Sequence, residues 1–222
     1  MECDSGRRPD AFLEERLAEY DEWLQGRKIP FSSKVIPVHE SLEAKQWVVP
    51  TEQAVELLRN ARSFAVTDCI CRSHYRRCDH PVEVCFLIND AADRCVANDQ
   101  GRRLSLDEAR ALLSQANERG LVHLTIYDPH QYVYALCSCC SCCCHELQLL
   151  STYGRVDLVA HSEYVAQTDV DACTHCGDCV ERCVFGARIW EDGRMRYDAA
   201  ACYGCGLCVT VCPVNATVMQ RR

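Results

Sequence analysis

Cys173-Thr-His-Cys176-Gly-Asp-Cys179-Val-Glu-Arg-Cys183, repeated as Cys202-Tyr-Gly-Cys205-Gly-Leu-Cys208-Val-Thr-Val-Cys212-Pro213, is the stretch that decides how the C-terminal part of this chain folds. Both runs read C-x2-C-x2-C-x3-C, and the second follows the first at an offset of 29 residues, an internal duplication of two half-units. Three thiolates at intervals of three wrap a loop around one face of an iron-sulfur cubane. The fourth, just past a short helical turn, is aimed away toward a neighbouring cluster. Zinc held by four cysteines also uses C-x2-C pairs, but it generally joins two such knuckles. Three cysteines in one loop plus a fourth, twice over, point to cubanes. Between the runs, Arg188 to Tyr197 reads as two short strands around Asp192-Gly193, the pattern of a hairpin.

On these residues, 168–220 resembles a bacterial-type two-cluster ferredoxin domain. The resemblance implies two [4Fe-4S] clusters with crossed ligands: Cys173, Cys176, Cys179 and Cys212 on one, and Cys202, Cys205, Cys208 and Cys183 on the other. Gly177 and Gly206 stand where that family usually has glycine, and Ala187 and Ala216 match the small residue four positions after each fourth cysteine. Val184 departs from the family, which commonly has proline there, but the position is not a ligand. His175 lies inside the first run; with four cysteines present it is expected to be a loop residue that shields or hydrogen-bonds the cluster.

The rest of the thiols lie upstream. Cys69-Ile-Cys71, Cys78, Cys85 and Cys95 are followed by Cys137-Ser-Cys139-Cys140-Ser-Cys142-Cys143-Cys144, while Cys3 sits near the N-terminus. The excess is too large for packing alone, although free cysteine often behaves as a small buried hydrophobe. Were 137–144 extended, Cys137, Cys139 and Cys143 would point one way and Cys140, Cys142 and Cys144 the other, so one segment would serve two centres. Each trio is to be completed from Cys69, Cys71, Cys78 and Cys85, with Cys69 and Cys71 on a shared face. One or two additional iron-sulfur clusters are expected, as two cubanes or one larger non-cubane centre. His74, His80 and His145 are candidate non-thiolate ligands, more commonly surface or supporting residues. The C-x-C-R segment, the Gly-Leu-Val-His stretch and the dense cysteine run also resemble uncharacterised anaerobic ferredoxin-like proteins, which implies metal binding and no particular activity. Arg72, Arg76 and Arg77 surround the first cysteines, where positive charge would raise a cluster's potential. Tyr127, His130, Tyr132 and Tyr134 are expected to wall the centre from water.

Composition narrows the alternatives. A chain of 222 residues, 48% apolar, can build a core without staples, and its 20 cysteines would read as a disulfide scaffold only in a secreted protein. The N-terminal Met-Glu-Cys-Asp-Ser-Gly-Arg-Arg leads into a charged amphipathic stretch unlike a secretory signal, so a reducing, cytoplasmic location is expected. Neighbouring pairs such as Cys139-Cys140 also have poor geometry for cross-linking. No apolar run approaches the roughly 18 residues that span a bilayer. Net charge is -8, with Lys28, Lys34 and Lys45 the only lysines, and each oxidised cubane with its thiolates adds roughly -2 more. Nucleic acid is therefore not an expected partner; a redox enzyme or subunit with a basic patch is.

The fold class expected is α+β: a mixed α/β cysteine-rich domain over 1–160, then a ferredoxin-like two-cluster module with a pseudo-twofold repeat over 161–222. Leu13, Leu17, Tyr20 and Leu24 mark an amphipathic helix that Gly26 stops. Thr51 caps a helix over 52–61, and the capping box Ser105-Leu-Asp-Glu108 opens another that ends at Gly120. Strands are expected over Phe64 to Ile70, Val82 to Ile88, Leu121 to Tyr127, Tyr132 to Leu136 and Val156 to Ala160. A helix followed by two strands also fits a winged-helix fragment, but without the basic recognition helix of a DNA reader. No dinucleotide loop, P-loop or radical-SAM signature occurs. Three functions follow: an electron carrier or electron-transfer subunit passing low-potential electrons to a partner enzyme, a reductase whose N-terminal centre is fed by the C-terminal module, and a cluster-based redox sensor.

Overall fold

A computed structural model describes residues 10–36, 55, 57–129 and 132–222. Cys3, Thr51 and His130 lie outside the described residues, as does the start of the helix expected over 52–61, of which Val55 and 57–60 are helical.

β1 (Ser33–Ile36), β2 (Phe64–Asp68), β3 (Glu83–Ile88), β4 (Gly101–Arg103), β5 (Val122–Asp128), β6 (Tyr132–Cys139) and β7 (Val159–Ala160) form a seven-stranded sheet ordered β4-β2-β3-β6-β5-β1-β7. Neighbours are antiparallel except β1 and β7. Strand alternation gives the sheet two different faces. On one, Val66, Phe86 and Leu136 stand in register and pack beneath Val55, Leu58 and the Ala109 and Leu113 side of helix Leu106–Glu118. On the other, Cys85 pairs with Cys137, Cys137 with Leu124 and Cys139 with Val122, so the thiols share a face with the apolar core. That face is covered by α1 (Ala11–Gln25) and helix His145–Tyr153, whose Leu13, Tyr20, Leu147 and Leu149 are buried there. Each such leucine contributes about 2 kcal/mol by leaving water.

Several elements differ from the sequence reading. β2, expected to reach Ile70, stops at Asp68, because the β2–β3 register shifts after Thr67 and Cys69 turns the chain into a short helix, Ile70–Tyr75. The Cys69 carbonyl accepts from the Ser73 N–H, starting that helix, while its own N–H donates to the Val82 carbonyl. β6 runs three residues past Leu136, held by the ladders that carry Cys137 and Cys139. The strand expected from Val156 shortens to Val159–Ala160, since Gly154 (φ 65°) and the turn after it occupy the start. Helices Asn89–Ala97 and His145–Tyr153 were not anticipated: neither has a side-chain cap to announce it. β5 and β6 cross the middle of the sheet, which is not a winged-helix arrangement.

The C-terminal part consists of β8 (Tyr164–Thr168), helix Asp178–Glu181, the hairpin β9 (Arg188–Glu191) and β10 (Arg194–Tyr197), helix Leu207–Thr210, and β11 (Thr217–Arg221), which pairs antiparallel with β8. Asp192 (φ 50°) and Gly193 (φ 72°) both adopt the left-handed conformation that a two-residue hairpin turn requires. The β8–β11 pair was absent from the sequence reading. This part packs onto the sheet domain: Tyr203 and Leu207 are buried in the same core as Leu147 and Leu149, and the Arg182 guanidinium donates to the carbonyls of Asn117 and Glu118, while within this part Tyr203 stacks between His161 and Phe185 at 3.9 and 4.6 Å.

Candidate metal centres

The two cysteine runs line two small pockets. One is bounded by Cys173, Cys176, Cys179 and Cys212. The other is bounded by Cys183, Cys202, Cys205 and Cys208. Gly177 (φ 93°) and Gly206 (φ 80°) open the short helices that carry Cys179 and Cys208. Gly204 (φ 76°) is tighter still, since a Cβ there would lie 2.0 Å from the Tyr164 carbonyl oxygen. The Ala216 N–H donates to Cys212 Sγ at 3.2 Å, the kind of amide-to-sulfur bond that stabilises a bound thiolate. Converging thiols, a donated amide and apolar walls fit iron-sulfur clusters. Burial pushes the Cys208 thiol up to about 11 although Arg188 opposes it, so in an empty cavity it keeps its proton until a cation replaces it.

The cavities differ in exposure. Cys176 is exposed and Cys173 half-buried, whereas Cys202, Cys205 and Cys208 are buried. Cys205 belongs to the same apolar core as Cys139, Cys144 and Leu147 of the sheet domain. Arg188, only 2% exposed, lies between the cavities. Its Nη1 is 3.7 Å from Cys179 Sγ, and it is in electrostatic contact with Cys208. His175 accepts from the Met195 N–H through Nδ1 at 3.2 Å, which ties the first loop to the hairpin.

The upstream thiols fall into two groups. In the first, Cys78, Cys140, Cys142 and Cys143 place their Sγ atoms all within 4.8 Å of one another. In the second, Cys71, Cys69, Cys85 and Cys137 interact one after the other, as do Cys139 with Cys144 and Cys71 with Cys144. The His145 main-chain N–H also donates to Cys71. The grouping differs from strict alternation at one place. Residues 141–143 form a turn rather than continuing β6, so Cys143 joins Cys140 and Cys142, and Cys144 joins Cys139. Arg72, 2% exposed, sits between the groups: Nη2 donates to Ser138 O at 3.0 Å and lies 3.7 Å from Cys140 Sγ, and it interacts with Cys69. A hydrogen bond from Cys142 pulls the Cys140 thiol down to about 4, burial opposes the drop, and Arg72 adds to it.

A search of curated proteins finds no match to the chain. Residues 172–219 match the family model of a 4Fe-4S dicluster domain. The chain thus carries a ferredoxin-type domain near its C-terminus, and the domain together with the many cysteines supports an iron-sulfur electron-transfer protein. Among the described residues, no helix is long and apolar enough to cross a membrane.

Outside the ferredoxin-type domain, the structure separates candidates that the sequence left together. His74 and His145 pack on Phe12 at 4.3 and 4.6 Å, in an aromatic cluster with Tyr75. Cys95 stands apart from the thiol groups, buried on helix Asn89–Ala97 against Gly101, where a Cβ would come within 2.7 Å of its sulfur. Tyr127 packs edge-on to Phe31, and burial raises the Tyr134 hydroxyl pKa. Sequence reasoning missed Arg188 and the buried carboxylate Glu146, which accepts from Tyr20 and Ser32 and anchors α1 over the thiols. Neither carries a local signal, because their partners come from distant segments.

Proposed function

We propose that this protein is an electron-transfer protein or subunit in which two [4Fe-4S] clusters connect a redox partner to a buried N-terminal iron-sulfur centre. Cys173, Cys176, Cys179 and Cys212 hold the outer cluster, and Cys202, Cys205, Cys208 and Cys183 the inner one. The N-terminal centre draws its ligands from Cys69, Cys71, Cys85, Cys137, Cys139 and Cys144. The observation that carries this reading is the asymmetry of the two cavities: one exposes Cys176 to solvent, and the other shares an apolar core with Cys139 and Cys144. A partner would exchange electrons at the exposed side, and the buried side would face the N-terminal centre.

When bound, the clusters supply one-electron redox chemistry. The chain's own residues fix the ligands and exclude water from the inner cavity. Ala216 and Arg188 donate toward sulfur, and the Tyr203 stack closes the seam.

Iron and acid-labile sulfide counted on anaerobically purified protein, with EPR of the reduced form, test this reading. More than about eight iron per chain, with signals beyond those of a coupled pair, is expected; about eight would remove the N-terminal centre from the proposal.

A cleft at the seam favours the reductase as the second reading. It has a volume of about 390 Å³ and is lined by Leu147, Leu150, His161, Phe185 and Tyr203. Oxidation of the reduced protein by small organic acceptors, with saturation kinetics and no partner present, would support that reading over a carrier.

A further inference from the structure

We infer that Cys78, Cys140, Cys142 and Cys143 form a closed mononuclear metal site that takes one zinc ion and is separate from every iron-sulfur centre. The argument is metric. Cys78 Sγ lies 3.7 Å from Cys140 Sγ and 3.9 Å from Cys143 Sγ, and Cys143 Sγ lies 3.8 Å from Cys142 Sγ. Four sulfurs bonded at about 2.3 Å to one tetrahedral zinc stand about 3.8 Å apart. In a cubane each thiolate binds its own iron, which spreads the sulfurs to about 6 Å. Sulfurs in a disulfide are about 2.05 Å apart, so these four are not cross-linked in pairs.

The molecule supplies its own contrast. Among the described residues this is the one set of three or more potential ligands with all donor atoms within 4.8 Å, so neither ferredoxin-type ligand set is drawn together as closely. Cys140, Cys142 and Cys143 are buried and Cys78 half-buried, and four thiolates fill the coordination of a tetrahedral ion. That is the arrangement of a structural site.

The surroundings suit a centre with net charge of about -2, the sum of one zinc and four thiolates. The buried Arg72 guanidinium approaches Cys140 Sγ at 3.7 Å. Arg77 donates to Cys142 O at 3.1 Å and to Gln148 Oε1 at 2.9 Å, and Gln148 Nε2 donates to Cys143 O at 3.0 Å. These bonds hold the 141–143 turn that sends Cys143 toward Cys78 and Cys144 away. The ion would fasten the loop carrying Cys78 to the end of β6.

Zinc, iron and labile sulfide measured on the anaerobically purified full-length chain test the site, together with a C140S/C142S variant. One zinc per chain is expected, lost in the variant with iron and sulfide unchanged. If the variant fails to fold, zinc-edge X-ray absorption of the wild-type protein decides alone: a single shell of four sulfurs at about 2.3 Å is expected. Absence of zinc from the wild-type protein, a single sulfide-free iron in its place, or loss of about four iron and four sulfide in the variant would each overturn the assignment. Wild-type protein with one zinc and only about eight iron would leave this site standing while removing the proposed N-terminal iron-sulfur centre.

Discussion

Arg188→Met is expected to lower the reduction potentials of both proposed ferredoxin-type clusters by about 100 mV. The guanidinium is 2% exposed, 3.7 Å from Cys179 Sγ and in electrostatic contact with Cys208, so a single positive charge acts on ligands of both cavities. Burial alone would depress the Arg188 pKa, but the neighbouring sulfurs outweigh it and the residue stays charged. Taking the charge to lie about 7 Å from the electron that a cluster gains, at an effective dielectric of about 20, gives roughly 2.4 kcal/mol. For a one-electron couple that is about 100 mV. Removing the charge makes reduction harder, so both potentials move down. Arg188→Lys keeps the charge and is expected to shift them by less than half as much. Potentiometric titration followed by EPR, on protein with unchanged iron content, reads the effect. Potentials within about 20 mV of wild type, or a rise, would refute the assignment of Arg188 as the charge shared by the two clusters.

Gly204→Ala is expected to lose iron from the inner set and to lower the melting temperature sharply, because a Cβ at φ 76° would sit 2.0 Å from a backbone oxygen. Gly186→Ala, at φ 67° with nothing within 4 Å, should cost only about 1 kcal/mol in urea unfolding and leave iron unchanged. Equal effects in the two variants would show that the close approach does not matter. Tyr20→Phe removes a donor to buried Glu146 and should destabilise by about 1–3 kcal/mol without changing metal content; thermal unfolding with metal analysis checks both halves. His123 is fully buried against Ser138, and burial lowers its pKa to about 4 from the usual 6.5. A depressed histidine contributes stability that is complete above about pH 6.5 and is lost as pH falls toward 4, so His123→Gln should flatten this part of the stability profile. An unchanged profile would argue against that source. Cys95→Ala should leave zinc, iron and sulfide counts unaltered, since Cys95 joins neither thiol group; loss of any metal in the variant would put Cys95 among the ligands.

The sequence by itself determined the elements whose signals are local. The two cysteine runs are legible because each offers three thiols from one loop at fixed spacing, the β9–β10 hairpin because Asp192-Gly193 supplies two left-handed residues, and helix Leu106–Glu118 because Ser105 and Glu108 cap it reciprocally. Amphipathic spacing likewise marks α1, whose N-cap Asp10 accepts from the Leu13 N–H. Alternation along β6 separated Cys137 and Cys139 from Cys140, as the two thiol groups do.

Only the tertiary structure decided how the upstream thiols divide. Cys78 reaches its partners from a loop 62 residues away, and the 141–143 turn exchanges the directions of Cys143 and Cys144. Neither event leaves a periodic trace, because a turn resets the alternation and a loop's destination depends on what it packs against. The same holds for Arg72 and Arg188, whose sequence neighbours do not reveal that each is buried between sulfur groups. Spacing along the chain marks which cysteines one loop can offer to a metal; the distance between sulfurs, which sets how many metal ions they could enclose, exists only once the distant segments have met.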